Sequence, residues 1–336
     1  MIPKVSLLIA VYNAQNYIEK CLVSIFNNSL IRDCEVIIVN DGSTDNTMNI
    51  INNIIKDYSS LKIQIINHPV NKGISQTRNT ALQNATGEYI IFLDSDDWVE
   101  SNYLSELYNF AKQNDYDIVG CDLIHEYPEY SRNESQPLLN DKIECINDML
   151  SCKTNGWLWI KLIKHKLILD NQLSFIDKIN IMEDLIFSAK VFYYSTKIGY
   201  LQLPLYHYSH NQGSTMNKVL TIDKANQIVL VEKELRDFFN EYNIPINPSS
   251  FEYFKIHVKF KFFFKSNKEV FSKYINIWPE AYNQLHNYKT SKFRKLIISL
   301  LQKNKFIGKL LLINYRFVKN IRNKMNKNNK YTGELV

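Results

Sequence analysis

Glycine is scarce in this 336-residue chain, at nine residues. None of the nine builds a G-x-G-x-x-G run after the first apolar segment or a G-x-x-x-x-G-K-[S/T] run anywhere. The backbone loops that bring peptide N–H groups onto phosphates in dinucleotide sites and P-loops are therefore missing, and phosphate charge must be met by metal and side chains. Cysteine is also sparse: Cys21, Cys34, Cys121, Cys145 and Cys152 are odd in number and form no C-x-x-C. That excludes a disulfide framework or thiolate metal site and fits a reducing compartment. No H-E-x-x-H zinc motif occurs. No window approaches the roughly 18 to 20 apolar residues that cross a bilayer. The opening MIPKVSLLIAVYN has only a short apolar run with Tyr12 and Asn13 behind it, which reads as a strand and not a secretion signal.

Charge of one sign is lacking in most of the chain but not at its end. Residues 289–336 hold 13 of the 40 Lys and Arg and one of the 34 acidic residues, Glu334, for a net of +12. The remaining 288 residues hold 27 basic and 33 acidic residues, a net of −6. A uniformly basic, nucleic-acid-binding surface does not describe such a chain, and no base-reading motif accompanies the basic tail.

The first 125 residues repeat one rhythm of apolar run, polar turn and helical spacing. Val5–Ile9, Val36–Val39, Ile63–Ile66, Tyr89–Leu93 and Asp117–Val119 are the runs. Helical patterns follow through Ile18–Phe26, Ile50–Ile55, Thr77–Leu82 and Leu104–Ala111. Continuous apolar strands joined by helical crossovers predict an α/β domain with a mainly parallel sheet, helices on both faces, and ligands beyond the carboxyl ends of the strands. Residues 126–150 read as a polar surface excursion, Trp157–Leu169 and Asp184–Tyr194 as helical, and Tyr200–Tyr208 as extended. From Thr221 helical spacing dominates, in Val229–Phe239, Phe251–Phe264 and Phe293–Phe317. This divides the chain into a domain over 1–218 and a mostly helical C-terminal region over 219–336.

Carboxylates gather where that architecture places ligands. Asp94, Asp96 and Asp97 follow a buried run directly, and hard oxygen ligands of this kind suit Mg²⁺ or Mn²⁺ with substrate phosphates. An acidic helix N-cap accounts for the same spacing. Asp41 ends the second run and opens DGSTDNT, either as part of a capped turn or as an acceptor for the N–H groups of a base. Together the two loops suit a nucleotide diphosphate. Lys72 and Arg78 can meet phosphate charge, with Arg78 alternatively bracing local carboxylates. Glu183 and Asp184 open an apolar helix as ordinary first-turn acids or as a general base. His207 and His210 lie three apart and ligate a metal only if the backbone converges them. Trp157 and Trp159 are packing groups, or one of them stacks on an acceptor sugar.

In order, PKVSLLIAVYNAQNYIEKCLVSI, EVIIVNDGSTDNT, NKGISQTRNTAL, GEYIIFLDSDD and IMEDLIFSAK resemble the family 2 glycosyltransferases with a GT-A fold. The likeness is strong through about residue 125, moderate over 155–216 and weak beyond. It implies inverting transfer of a hexose or N-acetylhexosamine from a nucleotide-diphosphate sugar, UDP-linked by preference, with Mn²⁺ or Mg²⁺. The acceptor implied is a hydroxyl of a glycan or lipid-linked saccharide in envelope polysaccharide synthesis. By that likeness Ala10, Tyr12 and Asp41 border the nucleoside, Asp94 and Ser95 lie by the ribose, and Asp96 is the principal metal ligand. Asp184 is the base, with Glu183 as runner-up, and Gly73, Arg78 and Asn79 shape the pocket with Lys72. The chain departs from the family pattern at Ala10, often Pro; at Ile160, often Asn before Lys-Leu; and at Ser209, where relatives carry Arg. His207 or His210 is then the expected stand-in at the metal or diphosphate.

The basic tail is expected to form an interfacial helix on an anionic membrane through 289–330, which would make the protein cytoplasmic and peripheral on the inner face of the cell membrane. Docking of that helix on the protein body is the other reading. A nucleotide-sugar-binding protein without transfer is the competing function, and a homo-oligomer is left open.

Overall fold

In the computed structural model, residues 2–210, 219–304 and 306–315 are described. The rhythm of the first 125 residues folds as β1 (Val5–Val11), α1 (Ile18–Phe26), β2 (Glu35–Asn40), α2 (Thr47–Asp57), β3 (Lys62–Asn67), α3 (Ile74–Asn84) and β4 (Tyr89–Asp94). A two-residue β5 (Trp98–Val99), α4 (Tyr103–Asn114) and β6 (Ile118–Glu126) follow. Beyond them lie β7 (Ser131–Glu134), α5 (Lys142–Leu150), β8 (Lys161–Lys164), α6 (His165–Asp170), α7 (Glu183–Tyr194) and β9 (Ile198–Ser209).

The strands form one sheet in the order β3-β2-β1-β4-β8-β6-β9-β5, with β7 on β6. β3 through β4 are parallel, as the continuous apolar runs predict. β1 and β2 are buried almost throughout because helices cover both faces, whereas β3, at the sheet edge, alternates partly exposed with exposed positions. α1 contributes Ile18, Leu22, Ile25 and Phe26 to the core with Val5, Leu7 and Ile9 of β1. Fully burying each such side chain contributes about 1.5–3 kcal/mol.

The far half is mixed, not parallel. β8 pairs antiparallel with both β4 and β6, β7 antiparallel with β6, and β5 antiparallel with β9, while β6 and β9 run parallel. Trp157–Leu169, expected to be helical throughout, supplies strand β8 and only the short α6. WLWIKLI is apolar except for Lys161, and periodicity alone does not separate a buried strand from a buried helix there. The polar excursion over 126–150 contains β7 and α5, the latter capped by Asp141, which accepts from Ile143 N and Glu144 N.

Contacts divide the described residues into two compact units, 2–210 with 227–246, and 219–226 with the remainder. In the first unit, part of α8 (Ile222–Glu241) packs Phe238 and Tyr242 around Tyr193 of α7. The second holds α9 (Pro248–Phe264), α10 (Lys268–Tyr274), α11 (Lys292–Lys303) and a helical stretch over 306–315. Its helices start at Asn247, Asn267 and Ser291, each accepting a backbone N–H of the first turn. Lys259, wholly buried, donates to the carbonyls of Ile277 and Trp278 and lies 4.2 Å from the Tyr282 ring centroid. No helix among the described residues is long and apolar enough to cross a membrane.

Candidate active site

Strand order reverses at β1, which lies between β2 and β4. Open sheets bind ligands beyond the carboxyl ends of strands at such a reversal. Register fixes what stands there: Ala10 pairs with Asp94, Val11 with Asn40, and Asn40 with Asn67. Ala10, Tyr12, Asp41 and Gly73 line one cleft with Val11, Asn71, Ile74 and Thr77, enclosing about 160 Å³. A cavity of about 150 Å³ holds benzene, so this is room for a single planar ring.

Two loops frame the cleft by holding each other. Asn13 N donates to Ser43 Oγ at 3.0 Å, Ala14 N to Thr47 Oγ1 at 2.8 Å, and Thr44 N to Asn13 Oδ1 at 2.8 Å. Ser43, Thr44, Asp45 and Thr47 of the DGSTDNT segment thus clasp the loop after β1, with Asp45 accepting from Gln15 N and Thr47 N. Asp41 is spoken for in the same way. Its Oδ1 accepts from Lys72 N at 2.8 Å and meets His68 Nδ1 at 2.8 Å, and its Oδ2 accepts from Gly73 N at 2.9 Å. Asp41 therefore pins the loop before α3 at the cleft, using both oxygens within the protein. Gly73 sits at φ +90°, and a Cβ there would stand 2.4 Å from Asn180 Oδ1. Asn79 clamps the chain at Phe175 through two hydrogen bonds of 2.8 and 2.9 Å. Lys72 is exposed, and its ammonium has no partner among the described residues.

The four residues after β4 divide their work. Asp97, 1% exposed, accepts from Tyr206 Oη at 2.8 Å and Ser209 N at 2.8 Å, so it ties the loop to β9. Burial, with Asp96 and Asp94 close by, pushes its carboxyl well up. Asp94 Oδ1 receives Arg78 Nη2 at 3.1 Å. Asp94, Ser95 and Asp96 remain partly exposed toward solvent.

Arg78 is the element that joins the motifs. Its Nη1 donates to Glu183 Oε1 at 2.7 Å while Nη2 reaches Asp94. The guanidinium is buried, near the rings of Phe92 and Phe175. The loop after β4 and the start of α7, with Asp94 and Glu183 89 residues apart, are thereby drawn together. Burial pushes the Glu183 carboxyl up to about 7, and it raises Asp184 as well; Arg78 opposes both shifts. Lys161 adds a second positive charge toward Asp184. Lys161 is 1% exposed, donates to the carbonyls of Asn155 at 3.0 Å and Trp157 at 2.5 Å, and burial lowers its ammonium to about 8.

The histidines do not converge on Asp96. His207 lies between two carboxylates, Nδ1 on Glu126 at 2.7 Å and Nε2 on Glu100 at 2.9 Å, and stacks on Trp98. Both ring nitrogens are used, so the expected metal role of His207 is corrected to a structural one. His210 Nε2 meets His125 Nδ1 at 2.8 Å and the ring stacks on Tyr127. Neither joins Asp96 in a metal-holding group, and no such group of three His, Cys, Asp or Glu exists among the described residues. Trp159 is buried against Tyr206, and Trp157 is half-buried beside it.

Two partly exposed carboxylates, Asp94 and Asp96, with no third protein ligand grouped with them among the described residues, still fit an Mg²⁺ or Mn²⁺ ion. Such ions take one or two carboxylates and complete their shell with phosphate oxygens and water. Sequence reasoning missed His68, Tyr206, Asn180 and Lys161, which hold the site residues in place. Only Lys161 left a signal, a lysine inside an otherwise apolar run.

Residues 6–168 match the model of glycosyl transferase family 2. The chain is 34% identical over 230 residues to the glycosyltransferase GlyA of Streptococcus pneumoniae serotype 4, covering 63% of this chain and 31% of that protein. It is 31% identical over 226 residues to the uncharacterized glycosyltransferase EpsJ of Bacillus subtilis, covering 64% and 63%. The chain thus spans less than two thirds of the length of these curated relatives. Residues 1–349 of S. aureus TarS, solved with UDP, share the fold at a TM-score of 0.62 and 21% identity, covering 96% of this chain and 91% of that one. With its parallel core, its carboxylate loops at the reversal of strand order and this match over residues 6–168, just under half of its length, the chain is similar to glycosyl transferase family 2 and has a GT-A-like fold.

Proposed function

We propose that this protein is an inverting glycosyltransferase that moves a sugar from a nucleotide-diphosphate donor to a hydroxyl of a glycan or lipid-linked saccharide. The observation that carries the reading is the Arg78 bridge, which brings the Asp94–Asp97 loop and the Glu183–Asp184 pair to one place at the sheet's ligand-binding edge. The cleft at Ala10, Tyr12 and Gly73 has room for a base ring. Asp41, with its oxygens engaged, shapes that cleft by fixing the backbone of Lys72 and Gly73. UDP is the preferred nucleotide, on the family resemblance.

Asp96, with Asp94 beside it, is assigned to hold Mg²⁺ or Mn²⁺. When bound, the ion would offset charge on the departing diphosphate. Exposed Lys72 supplies a positive charge at the same edge. Between the two acids, Asp184 is assigned as the base. Glu183 has an oxygen committed to Arg78 at 2.7 Å and serves to hold Arg78 against Asp94. Burial raises the Asp184 carboxyl, which makes it a better proton acceptor than an exposed aspartate. Removal of the acceptor proton by Asp184 as the hydroxyl attacks opposite the diphosphate gives one displacement and inverts the anomeric centre.

The same reading gives the C-terminal region an anionic membrane surface. Phe306, Ile307, Leu310 and Ile313 are 78%, 44%, 52% and 63% exposed at helical spacing, with Lys303 and Lys309 among them. An apolar stripe flanked by bases is the pattern of an interfacial helix. Residues 316–330 of the basic segment lie outside the described residues. A panel of UDP-glucose, UDP-galactose and UDP-N-acetylglucosamine with Mn²⁺ and a lipid-linked saccharide pool tests the function. Metal-stimulated transfer is expected from at least one donor. Donor binding without metal-stimulated turnover of any sort would favour the non-catalytic alternative.

A further inference from the structure

A line of aromatic rings leaves the start of α7 and ends at an exposed hairpin. Gly156 lies on the first turns of α7: its carbonyl accepts from Ser188 Oγ at 2.7 Å, and a Cβ on it would stand 3.0 Å from Leu185 Cα. Trp157 follows at once, with its carbonyl held by the Lys161 ammonium. From Trp157 the rings continue to Tyr208, with centroids 6.1 Å apart and planes within 14°. Tyr208 meets His210 edge-on at 5.0 Å, and His210 lies flat on Tyr127 at 4.0 Å and 7°. Tyr127 stacks on Tyr130 at 4.6 Å, and Tyr130 is 59% exposed.

The rings are held in place. His125, 6% exposed, joins His210 at 2.8 Å to Glu134 at 2.8 Å, and the tip of the β6–β7 hairpin closes through Tyr127 N donating to the Tyr130 carbonyl at 3.0 Å. His210 N donates to the Glu126 carbonyl at 2.9 Å, tying the hairpin to the end of β9. Ordered rings have little entropy left to lose on binding, and the exposed Tyr130 ring with the partly exposed edges of Tyr127, His210, Tyr208 and Trp157 offers apolar surface that complements the C–H faces of pyranose rings.

The charge of the hairpin narrows the ligand. Residues 126–134 carry Glu126, Glu129 and Glu134 against Arg132, and Arg132 is paired to Glu134 at 3.0 Å. A polyanionic chain of polyol phosphates would meet net negative charge along this surface. We infer that Trp157, Tyr208, His210, Tyr127 and Tyr130 form the binding strip for a neutral saccharide acceptor several pyranose units long. Its terminal hydroxyl lies at Asp184 and its preceding units run toward the hairpin tip. The inference rests on the glycosyltransferase reading for its direction along the strip.

Retention of the full chain on an array of neutral oligosaccharides of two to six pyranose units, alongside poly(ribitol phosphate), tests it. At least one neutral series is expected to retain the protein more strongly as it lengthens. Tyr130→Ala, an exposed change that leaves the core untouched, should weaken that retention about tenfold, and Tyr130→Phe should keep it. Trp157→Ala should weaken it likewise. Equal retention of Tyr130→Ala, retention by no neutral series, or stronger retention by poly(ribitol phosphate) would overturn the inference. Metal-stimulated nucleotide release from the donor panel reads the enzyme separately. Release without neutral-chain retention defeats the strip and leaves the transferase. Retention without release defeats the transferase and leaves a saccharide-binding surface.

Discussion

Arg78 sits between two carboxylates that the sequence places 89 residues apart, and single substitutions around it separate chemistry from support. Asp184→Asn is expected to lower kcat by about 10²–10⁴-fold, measured as transfer by folded protein whose circular dichroism matches the parent. Glu183→Gln removes a negative neighbour and frees Arg78 for Asp184, so the Asp184 carboxyl should titrate lower. The base works ionised, and in the parent both acids are raised, Glu183 to about 7. Activity should therefore fall as pH drops through a raised acid limb, and in Glu183→Gln that limb should move to lower pH. A limb that stays in place, or moves up, assigns the titration to another group. Asp97→Asn gives the contrast: the buried carboxyl, pushed up by its surroundings, tolerates a neutral replacement, with a predicted stability loss under about 2 kcal/mol by urea unfolding.

Elements bring these residues together through loops clasped to one another more than through helix ends. Gly73 shows why. Its φ of +90° and the 2.4 Å approach of Asn180 leave no room for a side chain, so Gly73→Ala is predicted to cost about 1–3 kcal/mol in stability and to raise the donor KM. Thermal melting and donor titration check both. The parallel strands and Asp94–Asp97 were legible because continuous apolar runs and acidic turns are local patterns. The antiparallel β8 was not, because WLWIKLI satisfies either period. Nor were the partners of Asp41: nothing local to DGSTDNT says that His68 and the Lys72 and Gly73 amides take its oxygens. His207 looked available for the same reason, since Glu100 and Glu126 reach it from other strands and loops.

Across the whole molecule, the acidic body and basic end are a division visible in composition alone, and each half has its own predicted partner. Flotation with vesicles containing anionic phosphatidylserine should carry the full chain, less so at high salt. Substituting Ser for Phe306, Leu310 and Ile313 together should release it, because those exposed side chains supply the apolar contact. Flotation unchanged by the triple substitution would contradict the interfacial helix. The central claim is a single displacement at the site that Arg78 assembles. Proton NMR of the product formed from an α-configured nucleotide sugar tests it most directly: the new linkage should carry the large anomeric coupling of a β-glucoside or β-galactoside from the first turnovers, and an α-linked product would contradict the account.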